Sequence, residues 1–429
     1  MKTRTAATLF VTALSFACSA CALAAGRPLL IISIDGLPPR YVANADALGL
    51  QIPNLREFVK DGVSAQGVVG VVPTLTLPSH TTMLTGVTPA EHGISSNVHF
   101  DPLMANYDGW YWRAHDIRVA TLWSAAQQAG LRTASVNWPV TVGDKHIDTQ
   151  LPDDDGETLD SDEIRTRFAV KLLRTDKPQL LAVHLVALDG TEHSNGPDTP
   201  AAYKALESLD HMIGELTAAA VAAQPDTVVA VVSDHGFTAT HTVVNLRARF
   251  VTEGLITLVD NPKGGAEITS WDAQAWTGGA TAAVVLRDPG DAGLRRRVGT
   301  LLQSLAAEPA NGIARVLDAG EIAASGGFPE AAFVVEFTPG FYFGTELRGP
   351  LLTPSSSKGM HGYLPDRPEM HAAFYMKGPG VPAGRDLGVI DMRQLAPTFA
   401  RVLEVQLPSA KQAGLIVEPE PETRLAHLQ

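Results

Sequence analysis

Five clusters hold the groups in this 429-residue chain that could act together on one substrate. The apolar run 29–34 ends in Ile34-Asp35-Gly36. A buried parallel strand that stops on a carboxylate presents it where α/β sheets bind ligands, although a strand-end Asp equally serves as a helix cap or turn residue. Pro73-Thr74-Leu75-Thr76-Leu77-Pro78-Ser79-His80 is followed by Thr81, Thr82 and Gly86. Its hydroxyls read either as N-caps or, at a helix N-terminus whose free N–H groups favour an anion, as a nucleophile towards phosphate. Asp189 and His193 stand four apart directly after another apolar run, so a helix there would put carboxylate and imidazole on one face, close enough to share an ion. Ser233-Asp234-His235-Gly236 ends a third run, and Gly236 permits a sharp turn that lets both side chains face one point. Gly359-Met360-His361-Gly362-Tyr363 sets an imidazole in a glycine-flanked loop. Each pair also reads as a satisfied cap or a loop hydrogen bond, but together three aspartates and three histidines are the oxygen and nitrogen ligand set expected for two zinc-type ions.

Such clusters need a sheet to bring their strand ends together. Runs 29–34, 180–188, 227–232, 280–286, 332–337 and 372–376 read as strands buried on both faces. Segments 117–129, 161–173, 201–223, 292–306 and 392–405 read as amphipathic helices. Their alternation predicts an α/β fold with a doubly wound, mostly parallel central sheet flanked by helices. From about 240 to 345 the composition changes to an irregular stretch with strands of its own, read as a cap subdomain inserted in a catalytic domain running from 25 to 429.

Composition narrows the function classes. Hydrophobic residues at 45% and charged residues at 18% describe a globular chain rather than a disordered one. Lys+Arg 33 against Asp+Glu 46 gives a net charge of −13, so no cationic surplus exists for stable nucleic-acid binding. A phosphate-handling enzyme is still allowed, because bound metal supplies positive charge that composition does not count. Lys2 and Arg4 precede an uncharged run over 6–24 that ends in Ala22-Leu23-Ala24. This reads as a signal peptide over 1–24, with a retained anchor or a lipoprotein as alternatives, and implies a periplasmic or secreted protein with no membrane span in the mature chain. Its removal shifts the charge to −15 and takes away Cys18 and Cys21, the chain's 2 cysteines. Thiolate ligands, disulfides and a Cys nucleophile would go with them.

In order and rough spacing, the five clusters resemble the nucleotide pyrophosphatase/phosphodiesterase family of the alkaline phosphatase superfamily. Gly93-Ile94 leading to Asn97, and Gly130-Leu131 leading to Asn137-Trp138-Pro139, add to a likeness that runs over about residues 28 to 405. The resemblance implies an alkaline phosphatase-like fold and two zinc ions, with manganese or iron able to substitute. Asp35, Thr76, Asp234 and His235 would surround one ion, and Asp189, His193 and His361 the other. Thr76 would be the nucleophile, forming a covalent phosphothreonine, while the Asn97 side chain and the Thr76 backbone N–H steady the non-bridging oxygens. The substrate class implied is a small phosphate ester, cleaved at a phosphodiester or phosphoanhydride bond.

Two departures bear on specificity. Leu77 stands where nucleotide-hydrolysing members commonly carry a Phe that walls the base slot, and Ser79 stands where Asn is usual. Leaving-group recognition would then fall to the cap, where Trp271, Trp276, Phe341, Tyr342 and Phe343 are candidates for an apolar pocket. A phosphomonoesterase or phosphonate hydrolase on the same site is the alternative activity, with Lys145 and Arg113 as candidate extra cations for a dianion. A non-catalytic binding module is the more remote reading.

Overall fold

The computed structural model describes residues 26–105, 109–153, 161–261 and 265–415. The expected signal peptide over 1–24, with Cys18 and Cys21, lies outside them.

Apolar runs too short for helices become the inner strands of an eight-stranded sheet, and shorter, more polar segments form its margins. In chain order these are β1 Leu29–Ile34, β2 Val63–Ser64, β3 Thr133–Val136, β4 Thr149–Leu151, β5 Leu180–Leu185, β6 Val228–Val232, β7 Phe374–Lys377 and β8 Arg385–Asp386. Across the sheet they lie β8-β2-β7-β6-β1-β5-β3-β4, and every neighbouring pair is parallel except the two made by β7. The sheet is the mostly parallel one that the alternating pattern predicts.

Alternate side chains of a strand point to opposite faces, so a strand covered on both sides must be apolar at nearly every position. On one face Leu30, Ile32 and Ile34 of β1 pack with Val183 of β5 and Val231 of β6. Helices α1 Pro53–Asp61, α4 Asp162–Thr175 and α6 Pro200–Ala223 cover that face through Phe58, Leu172 and Leu209. On the other, Leu29 and Ile31 pack beneath α2 Thr76–Thr85, α3 Leu122–Gln128 and α7 Leu395–Val402, through Met83, Trp123 and Phe399. Each such side chain, fully buried, contributes about 1.5–3 kcal/mol. Two positions on this second face break the apolar rule: Ser33 and its register partner His184 are both buried polar residues.

Two boundaries and one sheet assignment that bear on the site differ from the sequence expectation. The run 180–188 is strand only to Leu185; Val186 then caps helix α5 Ala187–Asn195, where the Asp162 carboxylate accepts the N–H groups of Val186 (3.0 Å) and Ala187 (2.8 Å). The helix expected over 117–129 starts at Leu122, because the Thr121 side chain accepts the Ser124 N–H and sets the N-cap there. Runs 280–286 and 332–337 are strands Thr281–Leu286 and Phe333–Phe337 of a separate antiparallel sheet, ordered Ala273–Thr277, Thr281–Leu286, Phe333–Phe337, Ile313–Leu317. Helix Ala292–Ala306 packs on that sheet around a core of its own.

Candidate metal and phosphate site

The carboxyl ends of β1, β5 and β6 deliver the acidic groups. Asp35 follows β1 and donates its N–H to Leu185 O (2.9 Å). Gly36, at φ +75, turns the chain so that its own N–H reaches Asp234 Oδ1 (3.1 Å), and the Asp234 side chain also accepts the His235 N–H. Helix α5, starting two residues after β5, puts Asp189 and His193 on one face with Asp189 Oδ1 3.4 Å from His193 Nε2. The 359–363 loop brings His361 Nε2 to 3.7 Å from the same oxygen.

Thr76 opens α2, and the N-cap is Leu75, which makes no side-chain cap bond. The cap role is therefore not what occupies the Thr76 hydroxyl; Oγ1 lies 3.5 Å from His235 Nε2. Next along the helix, the Leu77 N–H donates to Asn97 Oδ1 (3.0 Å), which leaves the Asn97 amino group as its donor end.

The protonation pattern of the histidines follows from their partners. Nδ1 of His193 faces Gly359 O (2.9 Å), Nδ1 of His235 faces Gly236 O (3.2 Å) and Nδ1 of His361 faces Thr74 O (3.0 Å). A carbonyl only accepts, so each Nδ1 carries a hydrogen, and the neutral form of each ring has its lone pair on Nε2. This is the arrangement by which a backbone carbonyl orients a metal-binding imidazole. Opposite those lone pairs, Asp35 Oδ1, Asp189 Oδ1 and Asp234 Oδ2 are buried without a hydrogen-bond partner. Asp35, Asp234 and His235 bring one ligand atom each within 4.8 Å of one another, and so do Asp189, His235 and His361. His235 thus belongs to both groups, with its ring stacked on His361 at 3.5 Å, while His193 joins the second through Asp189. Buried acceptors facing acceptors are costly unless a cation lies among them, so the donor set fits two divalent ions.

The titration of these groups reflects their crowding. Burial, then the Asp234 and Asp189 carboxylates, hold Asp35 well above the usual range, and burial also raises Asp189. Burial opposes ionisation of Asp234, yet His235 beside it holds that carboxyl well below the usual range. The His235 ring is pushed down by burial but raised on balance by Asp234, while burial, then His235 and His193, keep His361 well below its ordinary value. Every ion pair described for Asp35, Asp189 and Asp234 is with a histidine, so the site is short of positive charge.

A layer beneath the site escapes the sequence pattern. His80 Nδ1 donates to Thr76 O (2.8 Å) and its Nε2 meets Ser33 Oγ (2.8 Å), tying the start of α2 to β1. His184 reaches Asp35 Oδ2 at 2.9 Å. The one signal for it is a single polar residue within the otherwise apolar strand LLAVHL.

Other expectations need correction. Gly236 does not adopt a left-handed turn; it is required because a Cβ there would sit 2.1 Å from Glu369 O. Trp276 is buried against Phe328 and donates its indole N–H to Val98 O, and Phe343 lies in the second core, so neither is a free pocket wall. Leu77 is 1% exposed among Ile94, Val140 and Tyr111. Lys145 and Arg113 are exposed at the surface.

Comparison with known proteins converges on one family. The type I phosphodiesterase / nucleotide pyrophosphatase family model matches residues 29–364. An uncharacterised pyrophosphatase/phosphodiesterase of Schizosaccharomyces pombe is 28% identical over 227 residues, covering 49% of this chain and 45% of that protein. Human ectonucleotide pyrophosphatase/phosphodiesterase family member 1 is 28% identical over 204 residues, covering 44% of this chain and 21% of the human one. The chain therefore spans less than half the length of these relatives. Murine ectonucleotide pyrophosphatase/phosphodiesterase 5 shares the fold, with TM-score 0.69 at 22% identity over 89% of this chain and 96% of the murine one. A second structure of that murine protein is an inactive threonine-to-alanine variant in complex with AMP, 21% identical with the same TM-score and coverage. The chain belongs to the type I phosphodiesterase / nucleotide pyrophosphatase family.

Proposed function

We propose that this protein is an exported, metal-dependent hydrolase of phosphodiester or phosphoanhydride bonds that works through a covalent intermediate on Thr76. The observation that carries the reading is the convergence of three partnerless carboxylate oxygens and three imidazole Nε2 atoms beside a helix-start hydroxyl with no capping role. Asp35, Asp234 and His235, with Thr76 Oγ1, would hold one ion, and Asp189, His193 and His361 the other. Two zinc ions, or manganese or iron in their place, would favour the ionised hydroxyl and offset the charge of the phosphate. The AMP bound by the murine relative supports a phosphate ester as the ligand class.

Thr76 Oγ1 forms a bond to phosphorus as the leaving oxygen departs with a proton; water then breaks the Thr76–phosphorus bond and restores the hydroxyl. His80 holds the Thr76 carbonyl, and the Leu77 N–H holds Asn97 by Oδ1. The amino group of Asn97 and the Thr76 N–H, at the start of α2, donate to the non-bridging oxygens. A donor of this kind is worth about 3 kcal/mol in the transition state. The second sheet serves as the cap: Ser96 Oγ donates to Thr277 O (2.8 Å) and the Ala280 N–H to His361 O (2.9 Å), so it rests on both edges of the site.

Rates of the zinc-loaded enzyme on bis-p-nitrophenyl phosphate, p-nitrophenyl phosphate and a dinucleotide test the proposal. Faster diester turnover is expected, and dominant monoester turnover would reject it. Export rests on the charged start and processing site of residues 1–24; among the described residues no helix is long and apolar enough to cross a membrane. N-terminal sequencing of the mature protein, expected to begin at Ala25, checks it.

A further inference from the structure

Asp35 carries two oxygens with different fates. Oδ1 has no hydrogen-bond partner and lies 3.4 Å from His235 Nε2, on the side of the ligand cluster. Oδ2 turns the other way and meets His184 Nε2 at 2.9 Å. The opposite nitrogen of that ring, Nδ1, donates to Asn137 O (3.1 Å), since the carbonyl has no hydrogen to give. One hydrogen must therefore lie between Nε2 and Oδ2, and whichever atom carries it, Oδ2 is engaged.

The imidazole has little freedom to release that oxygen. His184 is 2% exposed, and its ring lies 4.3 Å from that of His80, which in turn meets Trp138 edge-on at 4.9 Å. His80 is itself pinned by Ser33 and by Thr76 O. Because Ser33 and His184 are register partners on adjacent strands, the sheet itself sets this geometry.

We propose that His184 is a positioning residue that occupies Asp35 Oδ2, so that Asp35 serves the ion it shares with Asp234 and His235 through Oδ1 alone. The proposal rests on the two-ion reading above. It predicts that the contact, through the carboxylate it orients, sets the affinity of one ion and not the other. Loss of an outer partner of this kind costs about 10–100-fold in metal affinity.

Full-length mature protein would be compared as wild type, His184→Leu and His184→Gln. Zinc content would be measured by mass spectrometry after dialysis at fixed free zinc, and affinities by competition with a chromophoric chelator. Leu fills the space without a donor, whereas the Gln amide can still donate to Oδ2. Both variants release Asn137 O alike, so the difference between them reports the Asp35 contact. Wild type should bind two zinc ions, His184→Leu should hold one of them about 10–100-fold more weakly with the other unchanged, and His184→Gln should recover most of the loss. Equal losses in the two variants, or two unchanged affinities in folded His184→Leu, would overturn the role of His184. If His184→Leu fails to fold, His184→Met, which also lacks a donor, takes its place in the same comparison with the same outcomes. Wild type that binds fewer than two ions would instead reject the two-ion reading from which the role is drawn.

Discussion

Two glycines flank proposed ligands, and the structure assigns them opposite responses to the same substitution. At Gly236, next to His235, an added Cβ would lie 2.1 Å from Glu369 O, 2.9 Å from His371 O and 3.0 Å from Glu369 C, all backbone atoms. The first contact is roughly 1 Å short of ordinary separation, and neither side can give by rotating a side chain. The Gly236 N–H is also bonded to Met370 O (3.1 Å), so relief must move the 234–236 turn itself. Overpacking of this kind costs about 1–3 kcal/mol. A shift of about 1 Å in a catalytic group costs on the order of 100-fold in rate, and His235 Nε2 would share the movement. Gly190, next to Asp189, has nothing within 4 Å of the point a Cβ would occupy and lies exposed within α5. Gly190→Ala should stabilise that helix by up to about 1 kcal/mol. Urea denaturation of the zinc-loaded variants, with diester turnover alongside, should separate Gly236→Ala from Gly190→Ala by about 1–4 kcal/mol and put the rate loss on Gly236→Ala. Wild-type stability and turnover in Gly236→Ala, or greater damage from Gly190→Ala, would show that the close backbone contact does not govern the turn.

Two further outcomes are expected. Thr76→Ala should keep its zinc, as measured by mass spectrometry, because Asp35, Asp234 and His235 remain, yet lose turnover; near-normal activity with zinc bound removes Thr76 as nucleophile. His92 is fully buried, its Nδ1 accepting the Ile94 N–H, and burial pushes its imidazole down to about 3. The unfolded chain binds that proton near about pH 6.5 and the folded chain does not until far lower. Stability should therefore fall by about 1.4 kcal/mol per pH unit below 6.5 on account of this group, and be unaffected by it above. His92→Gln should flatten the dependence between pH 6.5 and 5 in urea titrations, and an equal slope in both proteins would contradict the assignment.

The parts of the site legible in the sequence are those marked by local pattern. Asp35, Asp189 and Asp234 stand at or just past the ends of apolar runs, and parallel strands present such residues at one edge of the sheet. The four-residue spacing of Asp189 and His193 anticipates one helix face, which α5 supplies. What stays hidden depends on contacts far apart in the chain. His184 lies 149 residues from Asp35, and in the sequence it reads as one more position of a core strand. Gly236 is required by a backbone that returns from residue 369, which no local turn rule anticipates. The apolar residues Val186, Ala187 and Leu188 continue the pattern of β5, so only the Asp162 cap reveals where strand becomes helix. For the same reason Thr281–Leu286 reads as a central strand: its six buried residues are as apolar as those of β1, and its sheet is decided by antiparallel partners elsewhere.

The most direct test of a threonine-bound intermediate is the stereochemical course at phosphorus. Hydrolysis of a chiral phosphorothioate diester in oxygen-18 water, with the product configuration read by phosphorus NMR, counts the displacements. Attack by Thr76 followed by attack of water is two in-line inversions and predicts net retention. Net inversion would mean that water attacks the substrate directly, and would contradict a covalent role for Thr76.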